Sequence, residues 1–113
     1  MSRKPRSKSD VRIQFAQLQL VDDGLQRVEK PVAVGHPVRA QRTDVSDGEK
    51  FRSGQDAAWK MARFVVRLNR FTATLTPSHR LMLGEQDFEI IGIKGVENQR
   101  RWLEITAVVK VQP

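Results

Sequence analysis

Short strands alternate with tight turns through the second half of the chain, and this pattern constrains the fold more than any other feature. From Phe64 to Val111, apolar runs recur with a period of two residues, which is the mark of strands with one buried face. In the last run, every second residue from Leu103 to Val111 is apolar. Polar turns separate the runs at 76–79, 84–87 and 97–100. The sequence therefore predicts a mainly β fold, a small antiparallel β-barrel or sandwich.

The first half of the chain predicts a β-hairpin. Two apolar segments, 11–21 and 26–34, flank a tight turn at 22–24 in which a glycine is available for positive φ. The apolar phase of the first segment slips at 16–17, which predicts a bulge or a bend there. Pro31 predicts that the second strand lies at a sheet edge or ends early.

Two further stretches combine patterns. Apolar residues alternate with threonines from Phe71 to Thr76, which predicts a half-buried strand. Residues 57–68 fit both helical and strand spacing. A helical turn near 56–60 that runs into a strand from about Met61 satisfies both patterns, because β-branched and aromatic residues follow.

The interior segment from about 44 to 58 is polar, and it contains a capping-box pattern in which Ser46 precedes Glu49 by three residues. The sequence predicts one long loop that carries a short helix. A polar segment of this length inside a small domain is usually functional or mobile, and an ordinary surface loop is the alternative.

Length and composition define the class of protein. The chain has 113 residues, enough for one domain with a modest core. It has no cysteine, which excludes disulfides and thiolate metal sites. No apolar run approaches the roughly 18 residues of a membrane-spanning helix, and no apolar segment of a secretion signal follows the basic N-terminus. We expect a flexible basic arm over 1–10 and one β domain over 11–113, in a bacterial cytoplasm or a virion assembled there.

No motif predicts an enzyme. His36 and His79 lie in separate turns without neighbours at metal-ligand spacing. Asp87 and Glu89 share a strand face, but two carboxylates at this spacing are usually solvated. Phosphate-binding glycine loops and the common hydrolase motifs are absent. We expect no catalytic site, no cofactor and no metal. Trp102 is expected to plug one end of the barrel, or alternatively to anchor a protein interface.

Basic residues are concentrated in two places within a formal net charge of +7. Residues 1–12 carry five basic residues and one acidic residue, and residues 59–80 carry five basic residues and no acidic one. Such a distribution suits a polyanion or an acidic protein surface; a solubilising tail and a solvated strand face are the alternative. The side chains assigned to a DNA or partner surface are Arg63, Arg67, Arg70 and Arg80, with Arg3, Lys4, Arg6 and Lys8 of the arm.

The order of these pieces resembles the bacteriophage head–tail joining family, the head-closure or stopper proteins of long-tailed phages. An Arg-bearing strand, RFVVRLNRFT, precedes a T-P-x-x-R-L turn, a Gly-led hairpin that ends in an aromatic residue and Ile, and a last strand like R-W-L-E-I. The resemblance covers the C-terminal half well and the N-terminal half loosely. The matching residues are Arg67, Thr76, Pro77, Arg80, Leu81, Gly84, Phe88, Ile90, Arg101, Trp102, Leu103, Glu104 and Ile105.

The resemblance implies a structural virion protein that completes the head. Such a protein forms a ring, commonly of twelve copies, beneath the portal and its adaptor, although it can stay monomeric in solution. It retains packaged double-stranded DNA, presents a surface to the tail terminator or tail completion protein, and binds no membrane. The family also implies a loop that points to the ring axis and helps to close the DNA channel. We assign that loop to Asp47, Gly48, Glu49, Lys50, Phe51, Arg52, Ser53 and Gly54.

Two other functions stay open at this point. A basic OB-like β-barrel would bind single-stranded nucleic acid through a basic groove with aromatic stacking platforms. Aromatic residues make up only 6% of the chain and tyrosine is absent, which disfavours it. The other alternative is a neighbouring subunit of the same virion, a tail-completion or adaptor protein.

Overall fold

The sheet is organised around its first strand, β1. The computed structural model describes residues 10–45, 58–97 and 99–111, and these contain seven strands in one sheet. All strand pairs are antiparallel, so the predicted mainly β, antiparallel fold is confirmed. The strands are β1 (Asp10–Asp22), β2 (Arg27–Ala33), β3 (Val38–Asp44), β4 (Ala58–Arg67), β5 (His79–Leu83), β6 (Gln86–Val96) and β7 (Gln99–Val111).

The sheet closes on itself because β1 pairs along both of its edges. Residues 10–13 of β1 pair with β3, and residues 14–17 pair with β5. The intervening pairs are β3–β4, β4–β7, β7–β6 and β6–β5, so six strands form a closed cycle. Closure removes most of the unpaired edges that an open sheet exposes, and it gives the apolar side chains one shared interior.

The seventh strand, β2, extends β1 beyond the closed cycle as a two-stranded ribbon. Residues 16–22 of β1 pair with residues 27–33, and the register is continuous. β5 stops at the level of Gln17, so among the described strands nothing flanks the ribbon from residue 18 to residue 31. Its side chains are exposed or half-buried. This segment, residues 18–31, is called the ribbon below. As Pro31 predicts, β2 lies at a sheet edge.

Two aspartates hold the turn at the tip of the ribbon. The carboxylate of Asp22 accepts a hydrogen bond from the N–H of Gly24 at 2.9 Å, and Gly24 has φ 99°. The carboxylate of Asp23 accepts from the N–H groups of Gln26 at 2.9 Å and Leu25 at 3.0 Å. These two bonds lower the pKa of Asp23, because they stabilise the charged form. The predicted turn is confirmed, and its tip carries a carboxylate that stays ionised at neutral pH.

The predicted bulge at 16–17 is wrong. β1 pairs without a register shift through these residues, with β2 on one edge and β5 on the other. The irregularity lies on the partner strand, where four residues, 34–37, stand opposite residues 14–15 of β1. The apolar phase changes in the sequence because Leu18 and Leu20 belong to the exposed ribbon, whose side chains no longer face the core.

Three phenylalanines fill the interior of the closed cycle. Phe15, Phe64 and Phe88 are fully buried, and Phe64 packs edge to face on Phe88 with ring centroids 5.4 Å apart. Burial of each such side chain contributes roughly 1.5–3 kcal/mol. Smaller residues from the same strand faces complete the core, and the face predicted for β7 is confirmed. They include Ile13, Ala40, Ala62, Val66, Leu81, Ile90, Ile105, Ala107 and Val109.

Different side chains cover the two ends of this core. β1 begins, β3 ends, β4 begins and β7 ends at one end, called the N-terminal end. There the guanidinium of Arg42 lies over the rings of Phe64 and Phe88, at 5.8 and 5.7 Å from their centroids. At the opposite end, from which the ribbon projects, Phe71 packs against Phe15 with centroids 6.1 Å apart. This is called the ribbon end.

The strand predicted from Phe71 to Thr76 is wrong, because this stretch forms a turn and a 3-10 helix, Thr72–Thr74. The N–H of Thr72 donates to Asn69 Oδ1 and the N–H of Asn69 donates to Thr72 Oγ1, both at 2.8 Å. The Thr72 hydroxyl also donates to the carbonyl of Arg67 at 2.8 Å. Such local bonds satisfy backbone groups that a strand ladder would otherwise take up.

Replacing Thr72 by valine is expected to lower the free energy of unfolding by about 1–3 kcal/mol, although the side chains have similar shapes. Thr72 is 1% exposed, and the Asn69 N–H and the Arg67 carbonyl, whose bonds to its hydroxyl are partly buried, would lose this partner. Denaturant unfolding of Thr72→Val beside Thr74→Val, whose hydroxyl is exposed, measures the effect. Equal losses in the two variants would contradict the explanation from buried hydrogen bonds.

Residues 58–60 are part of β4, so the helical turn predicted near 56–60 is wrong there. β4 pairs with β7 along its whole length, from Ala58 opposite Val111 to Arg67 opposite Trp102. This ladder uses backbone N–H and C=O groups that a helix would need for its own hydrogen bonds. The predicted short helix and channel loop, 47–54, lie outside the described residues, as do arm residues 1–9. In the described part of the chain, no helix is long and apolar enough to cross a membrane.

Candidate interaction surfaces

Two arginines project from the outer face of β4. Arg63 and Arg67 are exposed and Val65 between them is half-buried, whereas the residues that alternate with them face the core. Within residues 10–45, 58–97 and 99–111, internal ion pairs do not include Arg63 or Arg67. Both arginines are therefore candidates for contact with a partner.

Arg67 lies beside a cleft on the outer face of β3, β4 and β7. Its guanidinium is 5.3 Å from the centroid of the Trp102 ring, the geometry of a cation–π contact. The two residues stand opposite each other in the β4–β7 pair. The cleft has a volume of about 740 Å³, and Arg39 and Glu104 also line it. This surface combines arginine side chains with an aromatic floor.

A second depression lies at the ribbon end, beside the turn between β6 and β7. It has a volume of about 630 Å³. Arg100 and Arg101 are exposed, and neither is in an internal ion pair of the described chain. The residues that line it are Val96, Gln99, Arg100, Arg101 and Trp102.

Trp102 lines both the cleft and the second depression (the two hollows) and is half-buried. The expectation that it plugs one end of the barrel is therefore wrong. Its phase on β7 explains this, because Leu103 and Ile105 face the interior and Trp102 belongs to the opposite face. Its placement fits the alternative of an interface residue.

The other basic residues predicted for this surface do not join it. Arg80 lies on β5, which is separated from β4 by β7 and β6, and it pairs with Asp87 at 2.9 Å. Arg70 is exposed in the turn after β4 at the ribbon end. Arg63 and Arg67 therefore share a face without them. The basic residues of the arm lie outside the described residues: Arg3, Lys4, Arg6 and Lys8.

Sequence reasoning missed Arg12 and Arg39, which stand opposite each other in the β1–β3 pair. Both are exposed. Like charges in direct cross-strand positions repel each other, so this pair destabilises the sheet unless an anion lies beside it. Arg39 precedes buried Ala40, which places it on the outer face, but the sequence does not show which strand pairs with it.

His79 supports a turn. It is 7% exposed, and its Nδ1 accepts a hydrogen bond from the N–H of Thr76 at 3.1 Å. The Thr76 and Ser78 hydroxyls pair at 2.8 Å in the same turn. Among the described residues, no group of three or more His, Cys, Asp or Glu side chains is placed to hold a metal ion.

The family follows from comparison with known proteins. A family model described as phage head completion protein matches residues 5–110. The chain belongs to this family. Head completion is a structural role in the virion, in contact with other head and tail proteins, and the match spans the closed sheet, the ribbon and both hollows.

Two solved structures share the fold. A chain in the virion of a native gene transfer agent particle matches with a TM-score of 0.64 and 22% identity, over 94% of this chain and 98% of that chain. Protein SF1141 from Shigella flexneri 2a matches with a TM-score of 0.57 and 23% identity, over 86% of this chain and 88% of that chain. No curated protein matches the sequence.

Proposed function

We propose that this chain completes the phage head as a subunit of a ring beneath the portal and its adaptor. There it retains the packaged DNA and offers a surface to the tail terminator or tail completion protein. The observation that carries the proposal is the head completion family match, which covers residues 5–110 of 113. A chain with the same fold is present in a gene transfer agent virion, which is consistent with it.

The β4 arginines are proposed to face the packaged DNA. Arg63 and Arg67 are four residues apart on one strand, about 13 Å at roughly 3.3 Å per residue. Internal carboxylates of the described chain do not neutralise them. Arginine contacts to phosphates carry no sequence information, which suits a protein that must hold DNA of any sequence. Arg12 and Arg39 add to the same positive field, and this would account for their unfavourable pairing.

The N-terminal end of the sheet is proposed to face the channel. Val45 and Ala58, which flank 46–57, lie at that end, because β3 ends and β4 begins there. Asp10, which follows the basic arm, lies there too. The proposed channel segment, 47–54, and the arm thus leave the sheet from one end, as a channel-facing end requires.

A ring of about twelve copies would gather weak contacts into a strong assembly, because identical contacts around a closed cycle add through avidity. The subunit can therefore be monomeric in solution and still bind firmly where a preceding ring provides a template.

Cross-linking of the purified chain to DNA-filled heads tests the proposal. Heads that carry the portal and adaptor are expected to bind the chain and keep their DNA, and heads without a portal are the control. Binding that does not need the portal would contradict the proposal. Salt-sensitive binding to free oligonucleotides without binding to heads would contradict it as well, and would favour a module for single-stranded nucleic acid.

A further inference from the structure

The ribbon presents large apolar side chains to solvent. Leu25 at its tip is 92% exposed, Leu20 is 62% exposed and Leu18 is 40% exposed. Isolated surface leucines are ordinary, but three on one projecting element are a concentration of exposed apolar side chains. A surface of this kind on a small domain fits an interaction with another protein.

The free edge of β2 is poorly suited to the addition of another strand. The N–H of Val34 donates to the carbonyl of Phe15 at 2.9 Å, which fixes the hydrogen-bonding phase of the ribbon. Bonded and non-bonded pairs alternate along an antiparallel ladder, so Pro31 and Leu18 form a non-bonded pair. The Pro31 nitrogen therefore faces the free edge, where it offers no N–H. The ribbon is built to bind through side chains.

The charge of the tip narrows the choice of partner surface. Asp22 and Asp23 lie beside the leucines, and residues 20–27 contain these two acidic residues and one basic residue, Arg27. An apolar and acidic tip fits a basic surface with an aromatic or apolar floor.

The second depression described above has this composition. Arg100, Arg101 and Trp102 line it, and Glu97 is the acidic residue in the turn beside it. It lies on the wall opposite the ribbon, since β3 and β4 separate β1 from β7 on one side and β5 and β6 separate them on the other. Both surfaces lie toward the ribbon end. Leu25 is 92% exposed, so the tip does not pack on the described residues of its own subunit.

We infer that the ribbon tip of one copy docks in the depression at Arg100–Trp102 of the next copy. Leu25 packs on the indole of Trp102, and the carboxylates of the tip face the two arginines. The contact joins two different patches on opposite walls at similar height, and a heterologous contact of this kind forms a ring where its rotation closes. This inference rests on the proposed ring. The docked tip borders Arg67, because the Arg67 guanidinium lies 5.3 Å from the centroid of the Trp102 ring. Arg63, four residues earlier on β4, takes no part in the contact and stays free for DNA.

Cross-linking between introduced cysteines tests the contact, because the chain has no cysteine of its own. A variant with Leu25→Cys and Gln99→Cys, assembled on heads and oxidised, is expected to give a ladder of multimers. Each single variant is expected to give no ladder. The matched control is Glu85→Cys with Gln99→Cys, since Glu85 is exposed in the β5–β6 turn at the N-terminal end. Assembled double variant that yields no ladder would overturn the docking while leaving the ring proposal intact.

A second variant tests the contact even if the cysteine variants fail to assemble. Leu25→Asp is expected to lower incorporation into heads roughly tenfold, the effect of losing an interface anchor. Its unfolding midpoint should not change, because Leu25 is almost fully exposed. Normal incorporation of Leu25→Asp would overturn the docking. If the unmodified chain does not bind heads at all, the proposed function fails, and the docking fails with it.

Discussion

Phe64→Ala is expected to leave little folded protein at 37 °C. Removal of a buried phenylalanine costs about 3–5 kcal/mol, against a total of about 5–15 kcal/mol for a typical domain. Phe64 is 0% exposed and belongs to the core of the closed sheet. The variant would lose the edge-to-face contact with Phe88 and the ring beneath the Arg42 guanidinium, so the cavity would reach the N-terminal end of the core.

Val65→Ala is the matched control, because it lies next to Phe64 on the same strand but on the outer face and is half-buried. We expect it to cost about 1 kcal/mol or less, since partly exposed side chains lose less on truncation. Urea unfolding followed by fluorescence of the two tryptophans measures both variants. Similar losses at Phe64 and Val65 would show that the interior described here does not hold the fold together.

The strands could be predicted where one face is buried throughout. β7 shows this, because every second residue from Leu103 to Val109 lies in or against the core, so the period of two is visible in the sequence. The period of two gives a wrong prediction where the alternating side chains have another structural role. In the stretch from Phe71 to Thr76, threonines alternate, yet Thr72 hydrogen-bonds with Asn69 and Arg67 and closes a turn.

The ribbon could be predicted as a hairpin but not as a projection. Leucine usually lies in a protein core, so the sequence suggests that Leu18 and Leu20 are buried and that the strand changes phase by a bulge. Their exposure depends on where β5 stops along β1, which is a long-range property of the pairing. The sequence alone therefore cannot distinguish these exposed leucines from core leucines. The strand pairing is needed to do so.

The arginine surfaces, too, can be predicted from the sequence only in part. Arg63 and Arg67 could be placed together from sequence because they are on one strand, where the period alone fixes the face. The approach of Arg39 to Arg12 depends on strand pairing, as does the distance of Arg80 from β4. Charge counts along the chain therefore indicate a basic strand, but they do not define the basic surface.

Heads completed with Arg63→Gln/Arg67→Gln protein are expected to lose DNA much more readily than heads completed with the unmodified chain. Each arginine that contacts a phosphate releases counterions, so removing two contacts in each copy of a ring weakens the hold on DNA roughly tenfold or more. The fold should tolerate the change. Its largest internal cost is the Arg67–Trp102 contact, about 0.5–1 kcal/mol at an exposed site. Nuclease sensitivity of the DNA in completed heads measures retention, and urea unfolding measures stability.

A matched pair separates the position of these charges from their number. Lys94→Gln/Lys110→Gln removes the same charge from exposed residues of the neighbouring strands β6 and β7, and Lys94 pairs with Glu104 only at 3.7 Å. We expect heads with this variant to keep their DNA. Equal losses with the two pairs would attribute retention to net charge rather than to the β4 face. Full retention with Arg63→Gln/Arg67→Gln would place that face away from the DNA, since arginines that hold phosphates cannot be neutralised without effect on a salt-sensitive contact.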